Sequence, residues 1–309
     1  MALQAITAGL IMNDQQQLGL PSRSNQFLTY WQWGNPDDRP LLLLHGLGDC
    51  AAVWEGAAQE LAKKGYAVVA PDLPGHGNSS KGDRPYSTEA IVEDLEALCN
   101  HLGWSRVTVV GHSWMGKVAT RWMQDLPQRF QQAVIVDPFF IGKMPDWLRL
   151  SFPILYRTLP FLKLTGPFPD QTSAEDCARQ LKQYREWNSW QAAAFAANLE
   201  QKDDGTWGSK LDLLARDRVF EDVLGIAGFQ KSVSLPTLLI LPEQGLNQFA
   251  WQTRDFHQFC ERLTVQTVPG NHWPFLNDPI GFAEAIDRWL IAPAQERHNL
   301  GQVAQLDVV

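Results

Sequence analysis

The chain has 309 residues, of which 45% are hydrophobic and 19% are charged, and its formal net charge at pH 7 is −8. This composition is typical of a globular protein, and the length suits one large domain, or a domain with an insertion, around a deep core. A negative net charge without any basic run argues against a nucleic-acid-binding protein, because the phosphate backbone needs a cationic surface.

The cysteines and the N-terminus indicate the setting of the protein. Four cysteines are widely spread and lack the spacing of metal ligands, so we expect no disulfide framework: Cys50, Cys99, Cys177 and Cys260. The N-terminal stretch MALQAITAGLIMNDQQQ has no basic region before its apolar run, and we interpret it as a mature N-terminus instead of a signal peptide. No apolar stretch is long enough to span a membrane. We therefore expect a cytoplasmic protein without an integral membrane segment.

The first half of the chain alternates predicted strands and helices. A strand ends near Trp33 and is followed by a buried strand at Leu41–Leu44, a helix from about Ala51 to Lys64 and the strand GYAVVAPD. The amphipathic helix YSTEAIVEDLEALCNHLG comes next, with Ser87 among its N-cap candidates. The strand RVTVVG, the helix KVATRWMQDLP and the strand QAVIVD complete the series. This alternation predicts a mostly parallel, doubly wound α/β sheet covered on both faces.

The alternation breaks after this last strand, the sixth of the core. Residues 138–235 show helical patterns but no good strand, and they are too many for a loop. We predict a helical cap over residues 138–235, inserted into a core formed by residues 1–137 and 236–292. The sheet pattern returns at PTLLIL and LTVQTVPG, and the helix IGFAEAIDRWLI closes the core. We expect residues 293–309 to form a disordered C-terminal tail.

The stretch VVGHSWMGKVA, residues 109–119, lies where a predicted strand changes into a helix. Ser113 falls in the turn between them, which is the position of a nucleophilic serine on a sharp strand-to-helix turn. Gly111 and Gly116 would relieve crowding around a strained backbone there. The alternative is a serine that only caps the helix. We favour the nucleophile, because the turn lies at the sheet edge where open α/β sheets bind ligands.

The motif HGLGD, residues 45–49, directly follows the Leu41–Leu44 strand. Glycines such as Gly46 let the backbone approach a substrate carbonyl and aim an N–H group at its oxygen. We assign an oxyanion hole to the backbone N–H groups of Leu47 and Trp114. The alternative is a glycine-rich turn in which His45 has a structural role.

The motif PGNHW places His272 after the last strand and before the closing helix. A serine needs a base at neutral pH, and histidine, with an ordinary pKa of about 6.5, suits that role. Of the seven histidines, His272 is the one on a loop after a late strand. We expect His112, next to the serine, to point away from the crevice.

Four motifs occur in order over nearly the whole chain: HGLGD, PDLPGHGNS, VGHSWMG and PGNHWPFLNDP. Together they resemble the α/β-hydrolase fold superfamily, in its cap-containing, serine-nucleophile branch of esterases and lipases. The resemblance implies a nucleophile at Ser113, a base at His272, an oxyanion hole near Leu47 and Trp114, and a cap over the site. It implies no cofactor and no metal.

The sequence departs from the family pattern at two places. Met115 stands where Gly-x-Ser-x-Gly has a small residue, and we expect its unbranched thioether to be accommodated. The triad acid usually follows the strand that reads PTLLIL here, yet Gly245 occupies its position. Some relatives take the acid from the strand before the cap, so we expect Asp137, with Glu243 as the alternative. A further alternative is a purely structural Asp137, with the histidine held by Asn247 or a backbone carbonyl.

The predicted cap is rich in large apolar side chains, which either pack its helices together or line a pocket: Trp147, Phe152, Leu155, Tyr156, Phe161, Leu162, Phe168, Trp187, Trp190 and Phe195. We expect a carboxylesterase-like enzyme that cleaves a small hydrophobic ester through an acyl-enzyme. One alternative is a carbon–carbon bond hydrolase or lyase, which would need a basic cap residue for a substrate carboxylate: Lys143, Arg149, Arg157 or Lys163. The other is a non-catalytic, ligand-binding homologue.

Overall fold

The computed structural model describes residues 15–151, 154 and 158–297. Its strands, in chain order, are β1 (Gln16–Gly19), β2 (Phe27–Trp33), β3 (Arg39–Leu44), β4 (Tyr66–Pro71), β5 (Val107–His112), β6 (Phe130–Val136), β7 (Leu199–Gln201), β8 (Trp207–Ser209), β9 (Thr237–Gln244) and β10 (Leu263–Asn271). One sheet has the order β1-β2-β4-β3-β5-β6-β9-β10, while β7 and β8 form a separate antiparallel pair. In the large sheet β2 is antiparallel to β1 and β4, and the other neighbours are parallel. The prediction of a mostly parallel sheet is confirmed.

The α-helices are α1 (Glu55–Lys63), α2 (Thr88–His101), α3 (Trp114–Asp125), α4 (Gln171–Arg179), α5 (Ser189–Asn198), α6 (Leu213–Gly225), α7 (Ala250–Phe259), α8 (Pro274–Asn277) and α9 (Pro279–Ile291). Short 3-10 helices lie at Ala51–Trp54, Pro127–Arg129, Asp146–Ser151, Pro160–Thr165 and Lys182–Tyr184. The predicted N-cap of α2 is correct, because the Ser87 side chain accepts a hydrogen bond from the backbone N–H of Ala90.

The two faces of the large sheet carry separate hydrophobic cores. Within β3, Leu42 and Leu44 pack on the face covered by α2 and α3, whereas Leu41 and Leu43 pack on the face covered by α1 and α9. Successive side chains of a strand point to opposite faces, so a strand covered on both sides needs a continuous apolar run. The sequence LLLL in β3 meets this requirement.

The chain leaves the sheet after β6 and returns to it at β9, as predicted. The insertion contains α4, α5, α6 and the β7–β8 pair, and a small core of its own includes Leu164, Tyr184 and Phe195. The exact division into core and cap at residues 137/138 and 235/236 stays a prediction. Residues 298–309, most of the predicted tail, lie outside the described residues.

Three details of the predicted elements are wrong or incomplete. The polar sequence QQLG forms the edge strand β1, although it has no apolar pattern. The insertion contains strands, because three residues on each side of a turn pair as β7 and β8, too few to produce a visible alternation. The helix predicted from Ala51 to Lys64 begins as the 3-10 turn Ala51–Trp54 before α1.

The topology brings the carboxyl ends of several neighbouring strands to one edge of the sheet. Gly46 follows β3, Ser113 follows β5, Asp137 follows β6 and His272 follows β10. In open α/β sheets this edge is where ligands bind.

Candidate active site

Ser113 connects β5 to α3 in a strained backbone conformation, with φ 57° and ψ −122°. A positive φ is costly for a residue with a side chain and persists only where its surroundings enforce it. Here the Ser113 N–H donates to the Val136 carbonyl at 3.0 Å, and the Ser113 carbonyl accepts from Gly116 and Phe139, both at 3.0 Å. The neighbouring strand β6 and the chain that follows it therefore hold this sharp turn.

The glycines beside the serine allow close packing of the turn. A Cβ atom on Gly111 would lie 2.7 Å from the Met115 carbonyl oxygen, and one on Gly116 would lie 3.0 Å from Ile135 and Pro138 side-chain atoms. Met115 is part of α3, and its side chain is fully buried in the core that α2 and α3 form with the sheet. The methionine is thus packed into the core, which agrees with the expected accommodation.

His272 and Asp137 are in direct contact. His272 Nδ1 donates to Asp137 Oδ2 at 2.6 Å, so the other ring nitrogen, Nε2, is available to accept a proton. Asp137 is fully buried and also accepts from the Leu246 N–H at 2.7 Å and from the Asn247 backbone and side-chain N–H groups at 3.2 and 2.8 Å. Four donors match the acceptor capacity of a carboxylate. Asn247 thus contacts the acid and not the histidine.

The structure explains why a glycine stands at the usual acid position. A Cβ atom on Gly245 would lie only 2.5 Å from Asp137 Oδ2, so the Asp137 carboxylate occupies the space beside that position. The alternative acid, Glu243, is exposed at the end of β9 and does not line the cavity described below. Of the two carboxylates considered, Asp137 is the one in contact with His272.

The two predicted oxyanion donors lie on the turns that follow β3 and β5. Neither the Leu47 nor the Trp114 backbone N–H donates a hydrogen bond to any residue that the structure describes. Gly48 adopts φ +81°, and its carbonyl accepts from the Asn198 side chain of α5 at 2.7 Å. The insertion therefore braces the turn that carries Leu47.

Two further histidines, His45 and His112, lie in different surroundings. His45 Nε2 accepts from the Leu73 N–H at 3.0 Å and Nδ1 donates to the Gly46 carbonyl at 2.8 Å, while burial lowers its pKa well below the ordinary value. His45 is therefore a neutral, structural side chain. The expectation that His112 points away is wrong, because its ring lies 4.4 Å from that of His272, centroid to centroid. Nothing in the local sequence indicates this packing.

Ser113 and His272 line one cavity of about 460 Å³ between the sheet edge and the insertion. No hydrogen bond joins them in the described structure, and such bonds often shorten only when substrate is bound. The apolar part of the wall consists of Leu47, Trp114, Phe139, Leu159, Pro160, Phe161, Leu181, Val219, Phe220, Val223, Leu246 and Trp273. Polar side chains enter from Asp49, His112, Gln180, Lys182, Gln183 and Gln244.

Most of the large apolar cap side chains identified from the sequence do not line the cavity. Phe161 lines the cavity, but Leu162 packs in the main core, Phe168, Trp187 and Phe195 pack within the insertion, Trp190 packs against the α1 and α9 face, and Trp147 is exposed. Phe152, Leu155, Tyr156 and Arg157 lie outside the described residues, as does the side chain of Arg149. Lys143 and Lys163 do not line the cavity, whereas Lys182, which the sequence did not single out, does.

The four cysteines are free thiols. Among the described residues, no group of three or more His, Cys, Asp or Glu side chains is arranged to hold a metal ion. In the same part of the chain, no helix combines the length and apolar character that crossing a bilayer requires.

A serine on a strained strand-to-helix turn, with a histidine–aspartate pair at the carboxyl edge of a mostly parallel sheet, defines the class of the α/β-hydrolase fold. The sequence profile of the alpha/beta hydrolase fold family matches residues 39–279, and the chain belongs to this family.

Individual relatives span most of the chain. It is 40% identical to an uncharacterized protein of Mycobacterium tuberculosis over 277 residues, which cover 81% of this chain and 74% of that protein. It is 26% identical to the sn-1-specific diacylglycerol lipase ABHD11 of Danio rerio over 267 residues, 83% of this chain and 80% of that protein. The crystal structure of E-2-(acetamidomethylene)succinate hydrolase shares the fold with a TM-score of 0.76 at 18% identity, covering 90% of this chain and 99% of the other.

Proposed function

We propose that this protein is a serine hydrolase that cleaves a carboxylic ester with a hydrophobic acyl or alcohol group through an acyl-enzyme. The observation that carries the proposal is one arrangement: the strained Ser113 and the Asp137–His272 pair face the same largely apolar cavity. A serine with a structural role would have no need of this costly backbone conformation.

In the proposed first half-reaction, the Ser113 hydroxyl attacks the ester carbonyl carbon while His272 Nε2 takes its proton. Asp137 holds the other nitrogen of the ring and stabilises the imidazolium that forms. The negative charge that develops on the carbonyl oxygen is stabilised by the N–H groups of Leu47 and Trp114. The carbon–oxygen bond to the alcohol then breaks, and His272 returns the proton to the departing alcohol.

In the second half-reaction, a water molecule attacks the acyl-enzyme and His272 accepts a proton from it. Collapse of the intermediate releases the carboxylic acid and returns the proton to Ser113. No step requires a metal or an organic cofactor.

The wall of the cavity supports a hydrophobic substrate group. Phe139, Val219, Phe220 and Val223 form an apolar side, and burial of each methylene group of a substrate chain contributes about 0.8 kcal/mol. The similarity to a diacylglycerol lipase is consistent with a fatty acyl ester.

The proposal is tested with a fluorophosphonate probe and a series of p-nitrophenyl esters. The wild-type protein is expected to label and to hydrolyse the esters, and Ser113→Ala to do neither. Ser105→Ala, at an exposed position, is the matched control and should behave like the wild type. Ester turnover by Ser113→Ala would contradict the mechanism. A correctly folded wild-type protein that neither labels nor hydrolyses esters would support the non-catalytic homologue.

A carbon–carbon bond hydrolase is the second candidate, because Lys182 gives the cavity wall a cationic side chain that could pair with a substrate carboxylate. The two candidates differ in their dependence on this charge. Lys182→Gln should leave hydrolysis of neutral esters nearly unchanged, whereas it should strongly raise the KM for a carboxylate-bearing diketone if the second candidate is correct.

A further inference from the structure

A second carboxylate, Asp49, lies buried beside the proposed triad, with 3% of its surface exposed. It ends the turn that carries Leu47. Its Oδ1 accepts from Gln183 Nε2 of the insertion at 2.6 Å, and its Oδ2 accepts from the indole Nε1 of Trp273 at 3.0 Å. Asp49 therefore joins the oxyanion turn, the insertion and the loop that carries His272.

The hydrogen bonds of His112 show which of its ring nitrogens faces this carboxylate. His112 Nε2 lies 2.8 Å from the His272 carbonyl oxygen, and because a carbonyl can only accept, Nε2 carries the hydrogen. In the neutral ring, Nδ1 then presents a lone pair. This atom is buried without a hydrogen-bond partner among the described residues and lies 3.9 Å from Asp49 Oδ2. At this distance no direct hydrogen bond joins the two atoms, so the protonation of Asp49 changes the charge that the Nδ1 lone pair of His112 faces.

The surroundings determine which of the two groups takes up a proton as the pH falls. Burial raises the pKa of Asp49 to about 6, although the hydrogen bonds from Trp273 and Gln183 oppose this shift. Burial lowers the pKa of His112 well below the ordinary value, followed by repulsion from His272. The proton therefore belongs mainly to the carboxyl group.

We propose that Asp49 and His112 form a second carboxylate–imidazole pair, which acts as a positioning pair for His272. His112 holds the His272 backbone through the carbonyl, and Asp49 holds the adjacent Trp273 indole. The inference rests on the proposed base role of His272.

The charge of the pair responds to few neighbours. Besides His272, the titratable groups around the pair are His45, Cys50 and Tyr184. Burial raises the pKa of the Cys50 thiol and that of the Tyr184 hydroxyl, and burial lowers the pKa of His45, so these three groups stay neutral near pH 7. His272 is therefore the group whose charge is coupled to that of the pair.

The charge of the pair affects the protonation of His272 in a direction that depends on pH. Above the pKa of Asp49 the pair has lost its proton and carries one negative charge, which favours an imidazolium at His272. Below that pKa the pair is neutral, and this support is lost. The rate of serine modification should thus fall further at acid pH as the pair takes up its proton.

The test measures the rate at which a fluorophosphonate probe labels Ser113 from about pH 5 to about pH 9. Asp49→Asn removes the charge with little change of shape. We expect its maximal rate to fall about tenfold and its acid limb to lose the ionisation that belongs to the pair. Asp37→Asn, an exposed carboxylate between β2 and β3, is the control and should match the wild type.

Two outcomes would overturn the inference. One is a folded Asp49→Asn protein with the wild-type rate and pH profile, which would give the carboxylate a structural role only. The other comes from NMR titration of the wild-type protein with labelled histidine side chains, which needs no variant to fold and no probe to react. We expect the His112 signal to shift near pH 6 as Asp49 gains its proton, and an unchanged His112 signal would contradict the pair. A wild-type protein that resists the probe would instead contradict the proposed function, and the NMR titration would still test the pair.

Discussion

At the scale of single residues, Asp137, the proposed acid of the triad, is distinguished by its hydrogen bonds. Asp137 accepts from His272 and from the backbone of the loop at Leu246 and Asn247, so one carboxylate both orients the base and fixes the loop beside it. Removing its charge should slow the chemistry, and because an amide keeps only one of the two acceptor oxygens, it should also lower the free energy of unfolding.

We predict that Asp137→Asn lowers kcat by orders of magnitude, since an equivalent change in a serine protease costs about 10⁴-fold through the wrong histidine tautomer. Glu243→Gln should have little effect, because Glu243 is exposed and does not line the cavity. Ester turnover and the urea midpoint of each variant separate loss of chemistry from loss of folding. A crippled Glu243→Gln beside an active Asp137→Asn would return the acid to the loop after β9.

The close approach of Gly245 to Asp137 allows a second test of the position of the acid. Because a Cβ atom on Gly245 would lie 2.5 Å from the carboxylate, the two positions cannot both carry side chains without a shift. In an Asp137→Gly background this space is vacant. Adding Gly245→Asp should then recover part of the lost activity, whereas Gly245→Ala should not.

Sequence motifs were sufficient for some of these residues and not for others. Ser113 and His272 stand out because strand-to-helix turns and post-strand loops have visible patterns. Asp137 required the absence of an acid at position 245 to be noticed. Asp49 and His112 carry no such signal. The partners of Asp49 are Gln183 and Trp273, the partner of His112 is His272, and each lies more than 100 residues away in the chain and meets its partner only in the folded structure.

At the scale of elements, the helix that follows Ser113 is fixed to the insertion by a buried lysine. Lys117 of α3 is fully buried, and its Nζ donates to the Gly142 carbonyl at 2.7 Å and to the Val223 carbonyl near the end of α6. Gly142 lies where the chain enters the insertion and α6 is its last helix. Lys117 therefore ties α3 to both ends of the insertion.

This lysine should give stability a distinct pH dependence. Burial lowers the pKa of Lys117 from 10.5 to about 7, while attraction by Asp222 and Asp255 opposes the shift. Between these two values the unfolded chain holds a proton that the folded protein lacks, so the free energy of unfolding rises with pH across this interval. Below the lower value both states are protonated, and the cost of burying the charge is fully present.

We predict that Lys117→Met removes this rise. Urea unfolding gives the free energy of unfolding of both proteins near pH 6.5 and near pH 9. The value for the wild type minus the value for Lys117→Met should be larger at the higher pH. Lys63→Met changes the same charge at a side chain that is 68% exposed and should show no such trend. A difference in the free energy of unfolding that is equal at both pH values would mean that Lys117 keeps an ordinary pKa in the folded protein.

The elements of the core were predictable for a physical reason that does not extend to the insertion. Strands such as β3 are buried on both faces and must be apolar throughout, which leaves a plain signal. The β7–β8 pair and the edge strand β1 are short and half exposed, so few of their side chains are constrained by packing. Their formation depends on neighbours that local pattern does not specify.

At the scale of the whole molecule, the cavity belongs to neither the core nor the insertion alone. The core supplies Ser113, His272 and the turn that carries Leu47, and the insertion supplies the apolar wall that includes Phe161, Val219 and Val223. Contacts such as Asn198 with Gly48 and Gln183 with Asp49 join the two. Substrate preference should therefore be adjustable from the insertion without disturbing the reacting groups.

We predict that Val219→Phe shortens the acyl chain that the protein accepts. Val219 is 1% exposed and lines the cavity, so a larger ring there removes volume from the proposed acyl site. The ratio of kcat/KM for p-nitrophenyl decanoate to that for the acetate should fall at least about tenfold, the loss expected when two buried methylene groups are excluded. The fluorophosphonate labelling rate, measured with a small probe, should stay near the wild-type value and serves as the control for an intact Ser113 and His272. An unchanged ratio in a folded, labelled protein would mean that the alcohol, and not the acyl chain, lies against α6.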